Sequence, residues 1–153
     1  MAHTIASATG AVNAVHIGAG VAPEDAGRLV LRLTVAIFML LHGIGKIAGG
    51  VDPIADMLAQ HGLPGVLAYG AYGGEVLAPL LVIVGLWTIP AALVMAFNMV
   101  VAIALVHGDA ILSLGKEGGW AIELQGFYLF GAIAVALLGA GSLSVSGSRG
   151  RWN

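Results

Sequence analysis

Four apolar runs govern what this chain can become: one from near Leu29 to near Ala48, then roughly 66–86, 91–106 and 121–139. Crossing hydrocarbon as a helix takes about 20 residues. Four such runs and their short connections use nearly everything after position 28. The expectation is an all-α fold, a four-helix transmembrane bundle. With 59% hydrophobic and 9% charged residues among 153, the chain lies far from the quarter or so of charged residues usual in soluble domains. Its mean hydropathy is +0.98. This is the composition of an integral membrane protein.

The same composition excludes several chemistries. A net charge of −2 with scattered basic residues argues against nucleic-acid binding. The chain has no cysteine, which removes thiol redox chemistry, disulfides and thiolate-held iron–sulfur clusters. A redox role therefore needs a borrowed or diffusible cofactor.

Three regions are expected. Residues 1–27 hold Glu24 and Asp25 but no Lys or Arg, so they lack the basic start of a secretory signal and read as a flexible extension. Residues 28–141 form the membrane domain. Residues 142–153, rich in Ser and Gly and carrying Arg149 and Arg151, read as a flexible, solvated tail. With four spans, Arg28, Arg32, Arg149 and Arg151 share one side, and Lys46 and Lys116 mark the other. The positive-inside rule then puts both termini in the cytoplasm of a multi-pass cell-membrane protein. Trp87 and Trp120 fall at span ends, where an aromatic belt would hold them.

Between the first two runs, Asp52 followed by Pro53 reads as an N-cap with proline at the first helical position. Ile54, Met57, Leu58 and His61 repeat at helical spacing before Gly62 and Pro64. A short interfacial helix on the outer surface is expected there. In the second run Pro79 has no amide to give the carbonyl of Glu75, so the helix should kink or loosen. Gly70 and Gly74 offer that helix a small-residue packing face.

Ionisable and amide side chains inside these runs are expensive to insert and are the first place to look for function. Arg28, Arg32, His42 and Lys46 share an arc of roughly 80° on the first helix. Counting along antiparallel helices brings His42, Lys46, Glu75, His107 and Glu123 into the outer half of the bundle. Glu75 is the most deeply placed, and Lys46 or Arg32 is its candidate partner. Asn98 reads as an interhelical hydrogen-bonding residue, about 180° around its helix from His107. Blander readings stand beside these: Arg28 as an interfacial anchor, Lys46 as a snorkelling side chain, His107 as a helix cap.

The order of these features resembles the DoxX family of small four-helix membrane proteins. The resemblance is carried by RLVLRL at Arg28 to Leu33, HGIGK at 42–46, and GGE with LVIVGLWT over 73–88. The region around Asn98, His107 and the WAIEL of Trp120 to Leu124 complete it, so that it spans residues 28 to about 141. It implies a membrane subunit of a quinone-linked oxidoreductase system, similar to thiosulfate-oxidising members and to members linked with oxidant resistance. A quinone would then be the cofactor and a soluble oxidoreductase the partner, in the lipid bilayer, with an oligomer left open. On that reading His42, Lys46 and Glu75 carry the chemistry, and His107, Glu123 and Asn98 join His42 and Lys46 in holding substrate. Arg32 and Pro79 are structural. Whether the chain is itself an enzyme is left open. One competing reading is a non-catalytic anchor or assembly subunit for a soluble oxidoreductase. Another is a small-solute permease, which the lack of a visible inverted repeat weakens. Haem or metal held by His42 and His107 with Glu75 or Glu123 matches no known ligand spacing, so neither is expected.

Overall fold

The structure, a computed structural model, describes residues 21–116, 118–147, 150 and 152–153. Most of the expected extension, and Arg149 and Arg151 of the charge-bias argument, lie outside the described residues. The chain forms α1 (Pro23–Gly49), α2 (Asp52–Gln60), α3 (Gly65–Val84), α4 (Thr88–Val106) and α5 (Glu123–Leu138). No strand is present among the described residues; one isolated bridge joins Leu114 and Trp120. Three helices, α1, α3 and α4, are long and apolar enough to cross a membrane. The fourth, α5, is apolar but has only 16 residues, about 24 Å of helix.

Helix α1 starts with Pro23 in its first turn beside Glu24 and Asp25, a favourable pairing of acids with the positive end of the helix dipole. It buries Arg32, Val35, Ala36, Met39 and Gly43, a single stripe at three- and four-residue spacing. That stripe meets α3 on one side and α5 on the other, while α4 packs against α3 and α5 to close the bundle. The core they share is rich in alanine and methionine, including Ala36, Met39, Ala92, Met95 and Ala132. Small side chains let the backbones approach closely, as suits helices that pack by contact rather than by escape from water.

Polarity runs from inside to outside in the reverse of a soluble protein. Phe97, Phe127 and Leu137 are 69%, 75% and 82% exposed, whereas Arg32 and Glu75 are 2% and 3% exposed. An apolar exterior around a partly polar interior is stable in lipid.

Helix α2 forms where Pro53 and the apolar spacing predict it, but its cap differs. Val51 occupies the N-cap, Asp52 is the first helical residue, and no side chain caps the turn. Its Leu58 packs with Val51 and Ala68 in a second small core, flanked by Tyr72 and Leu105. This core fastens α2 across the ends of α3 and α4.

At the opposite end, α3 stops at Gly85, whose φ of +72° a residue with a side chain rarely adopts. The amide of Leu86 bonds the carbonyl of Leu81 at 3.0 Å and that of Gly85 bonds Val82 at 3.2 Å, the paired bonds of a Schellman turn. A methyl on Gly85 would also collide with Nη1 of Arg32 and with Ser144. Arg32 donates from Nη1 to the carbonyl of Ala140 at 3.2 Å and from Nη2 to that of Leu143 at 2.8 Å. The amides of Val145 and Ser146 bond the carbonyls of Val84 and Gly85. Asn153 accepts from the Thr88 hydroxyl at 2.9 Å and donates to Ser144 at 3.1 Å. Residues 142–147 and 153 of the segment read from sequence as a solvated tail thus pack against the bundle end, because a buried guanidinium needs carbonyls and Ala140 and Leu143 supply them.

Candidate functional site

Glu75 sits in the middle of α3 on a π-helical turn, Gly73–Leu77. Pro79 cannot donate to the carbonyl of Glu75, and the helix answers by widening: the amide of Ala78 bonds back to Gly73, five residues away. The expected kink is taken up as this extra-wide turn. Gly43 of α1 lies against the freed carbonyl of Glu75 so closely that a Cβ there would overlap the carbonyl oxygen and carbon and a methyl of Val76. Gly74 stands in the same relation to Asn98 of α4. Two glycines therefore draw α1 and α4 onto the widest turn of α3.

That approach delivers partners to the carboxylate. Lys46 Nζ donates to Oε2 of Glu75. Asn98 Nδ2 donates to Oε1 at 3.0 Å. The hydroxyl of Tyr72 donates to the carbonyl of Lys46 at 3.2 Å, tying the last turn of α1 to α3. The HGIGK segment is thus divided by function: Gly43 permits contact, Lys46 neutralises charge, and His42 turns elsewhere. Glu75 is buried but Lys46 is 31% exposed, so removing the lysine leaves the carboxylate to Asn98 alone, at a loss below the ~3–5 kcal/mol of a fully buried pair.

Two cavities meet at the Lys46–Glu75 pair. The smaller, about 200 Å³, is a chamber of mixed lining, where His42, Lys46, Glu75, His107, Gln125 and Tyr128 stand beside apolar side chains such as Met39, Met99 and Leu124. Within it the rings of His42 and Tyr128 meet edge to face at 5.5 Å and 87°. Gln125 Nε2 donates to His107 Nε2 at 3.0 Å. The larger cavity, about 670 Å³, is an apolar groove between α3 and α4 with α2 above it. Its walls include Ile54, Met57, Leu67, Phe97, Val101 and Leu105, and Lys46, Glu75 and Asn98 form its polar end. The ion pair is common to both cavities.

Set against the sequence expectations, His42, Lys46, Glu75 and His107 gather around one chamber. Asn98 touches Glu75 from the groove side, as its half-turn offset from His107 requires. Arg32, proposed as an alternative partner of Glu75, is held at the far end of α1 by backbone carbonyls. Glu123 opens α5 exposed, and neither cavity is lined by it. Its carboxylate lies beside Gly119 of the preceding connection, and Gln125 two residues on reaches the chamber in its place. Of the expected small-residue pair, only Gly74 makes a close approach; a Cβ on Gly70 would meet nothing within 4 Å. Tyr128 was not foreseen. The available signal was its position three residues after Gln125, on the same helix face. Among the described residues, no three His, Cys, Asp or Glu side chains converge as a metal site would require.

The DoxX family profile matches residues 27–108, just over half of the chain. The chain belongs to the DoxX family. The match takes in α1 to α4 and so includes His42, Lys46, Glu75, Asn98 and His107. It ends before α5, whereas the resemblance read from sequence continued to about residue 141; Gln125 and Tyr128 are therefore features of this DoxX protein outside the matched region. Comparison with curated proteins and with solved structures gives no match.

Proposed function

We propose that this DoxX protein is a small membrane subunit of a quinone-linked oxidoreductase system, and that the Lys46–Glu75–Asn98 cluster is the polar end of its ligand site. The observation that carries this reading is the position of that cluster at the end of an apolar groove of about 670 Å³. A quinone has a flat apolar ring system, an apolar tail and two carbonyl oxygens that need donors. The groove offers apolar walls, and Lys46 Nζ and Asn98 Nδ2 are the donors at its end. The residues present fit such a ligand. Bound, it would supply two-electron, two-proton carrier chemistry, with the electrons exchanged at a soluble oxidoreductase partner.

The residues of the chain divide the remaining tasks. Lys46 and Asn98 orient the ligand oxygen, at some expense to their bonds with Glu75. Glu75, released from one partner, holds or gives up a proton at its carboxyl oxygen. Leu67, Phe97 and Val101 keep bulk water from the ring. In this reading α5 crosses as the fourth span, α2 lies in the outer interface, and both termini are cytoplasmic.

A second reading is favoured by one observation: both oxygens of Glu75 are already satisfied within the protein. The cluster would then be a brace in a non-catalytic anchor for a soluble oxidoreductase. Organic extracts of gently purified wild type, Glu75→Gln and Lys46→Ala separate the two. A quinone retained by wild type and lost from either variant supports the ligand site; no quinone in any sample, with a soluble partner copurifying in stoichiometric amount, supports the anchor.

A further inference from the structure

The small chamber and the large groove touch the same carboxylate from different sides, and their linings differ in kind. On the chamber side the titratable groups are His42 and Lys46 from α1, His107 capping α4 and Tyr128 from α5, with the amide of Gln125 beside them. On the groove side α2, α3 and α4 offer only apolar side chains beyond Lys46, Glu75 and Asn98. The cavity of about 200 Å³ has a mixed lining, in which Lys46, Glu75, His107 and Gln125 are polar partners for the few water molecules that it has room for. Its lip, His42 and Leu124, is exposed, and it lies among the last turns of α1 and α4 and the first turn of α5. Met39 and Met99 line it deeper in the bundle.

We infer that the chamber is the aqueous access to Glu75 and the groove its apolar access, with the Lys46–Glu75 pair as the partition between them. A proton leaving the Glu75 carboxyl oxygen passes to chamber water, then to an imidazole nitrogen of His42 or His107, and from there to bulk. No electron moves in this step, and the carboxylate left behind is paired with Lys46. The use of such a path in turnover rests on the proposed redox reading; the separation of water from hydrocarbon at the ion pair does not.

Because the chain contains no cysteine, single replacements report access without background. Met99 and Val101 lie on α4 two residues apart, one lining only the chamber and the other only the groove. In protein reconstituted in phosphatidylcholine vesicles, Met99→Cys, Met39→Cys and Val101→Cys are exposed to silver ion, a thiol probe close to water in size. Protection from later maleimide labelling in denaturant is read by mass. Silver, being charged, does not enter dry apolar space, so the chamber thiols should react about tenfold or more faster than Val101→Cys. A long-chain alkyl maleimide should show the opposite order. Should Met39→Cys fail to fold, Met99→Cys and Leu124→Cys at the lip carry the comparison. Chamber thiols no faster than Val101→Cys towards silver would overturn the inference, as would a groove thiol equally open to both reagents. No step uses a quinone, so failure to retain quinone with the silver pattern intact removes only the redox reading.

Discussion

At the scale of single residues, the site depends on what is missing at Gly43 as much as on the charges of Lys46 and Glu75. A methyl at Gly43 would overlap the Glu75 carbonyl, and overfilling a packed contact costs about 1–3 kcal/mol. Gly43→Ala is therefore expected to lower the thermal midpoint in detergent and to weaken quinone retention together. The charges make a sharper prediction. Lys46→Met leaves Glu75 without its cation, a loss below the ~3–5 kcal/mol of a fully buried pair because Lys46 is part-exposed, whereas adding Glu75→Gln to the same chain removes the stranded charge. The double variant should unfold at a higher temperature than Lys46→Met alone; an equal or lower midpoint would mean that the pair is not a buried electrostatic unit. Sequence counting left Lys46 and Arg32 as alternative partners of Glu75, since both lie on one helical face. What separates them is the segment after α5, whose carbonyls occupy Arg32, and no periodicity in α1 announces that.

At the scale of elements, Pro79 and the glycines turn α3 from a plain span into a site. Proline's missing amide was legible as a local fault near Glu75, but whether the fault becomes a kink or a π turn depends on α1 packing against the freed carbonyl. The two glycines thought to form one packing face have different fates. Gly74 is pressed against Asn98, and Gly70 faces open space. Gly74→Ala should destabilise by about 1–3 kcal/mol through overpacking. Gly70→Ala should be neutral or stabilising by up to about 1 kcal/mol, from helix propensity alone. Thermal unfolding of the two variants side by side checks this, and equal losses would show that both glycines pack.

At the scale of the whole molecule, the apolar runs made the helices and their antiparallel order legible, since only helices satisfy these backbones in lipid. The gathering of His42, Lys46, Glu75 and His107 followed from that order and from depth. The two-cavity arrangement did not, because it depends on side-chain directions of Gln125 and Tyr128 that the sequence leaves free. Nor did the closing segment, where Arg32 with Leu143 and Thr88 with Asn153 join distant parts of the chain. Arg32→Ala should release that segment while sparing the other end: limited proteolysis between residues 140 and 147 should rise severalfold, with Lys46 variants unchanged in the same assay. The proposed function turns on a ligand in the groove whose polar end is Lys46, Glu75 and Asn98. Its most direct test is photolabelling of membranes with an azido-quinone, followed by peptide mapping with and without excess unlabelled quinone. Labels on α3 and α4 peptides carrying Leu67, Phe97 or Val101, competed by quinone and lost in Lys46→Ala, are the predicted result. Labelling spread over the lipid-facing surface, or unchanged by competitor and by Lys46→Ala, would contradict it.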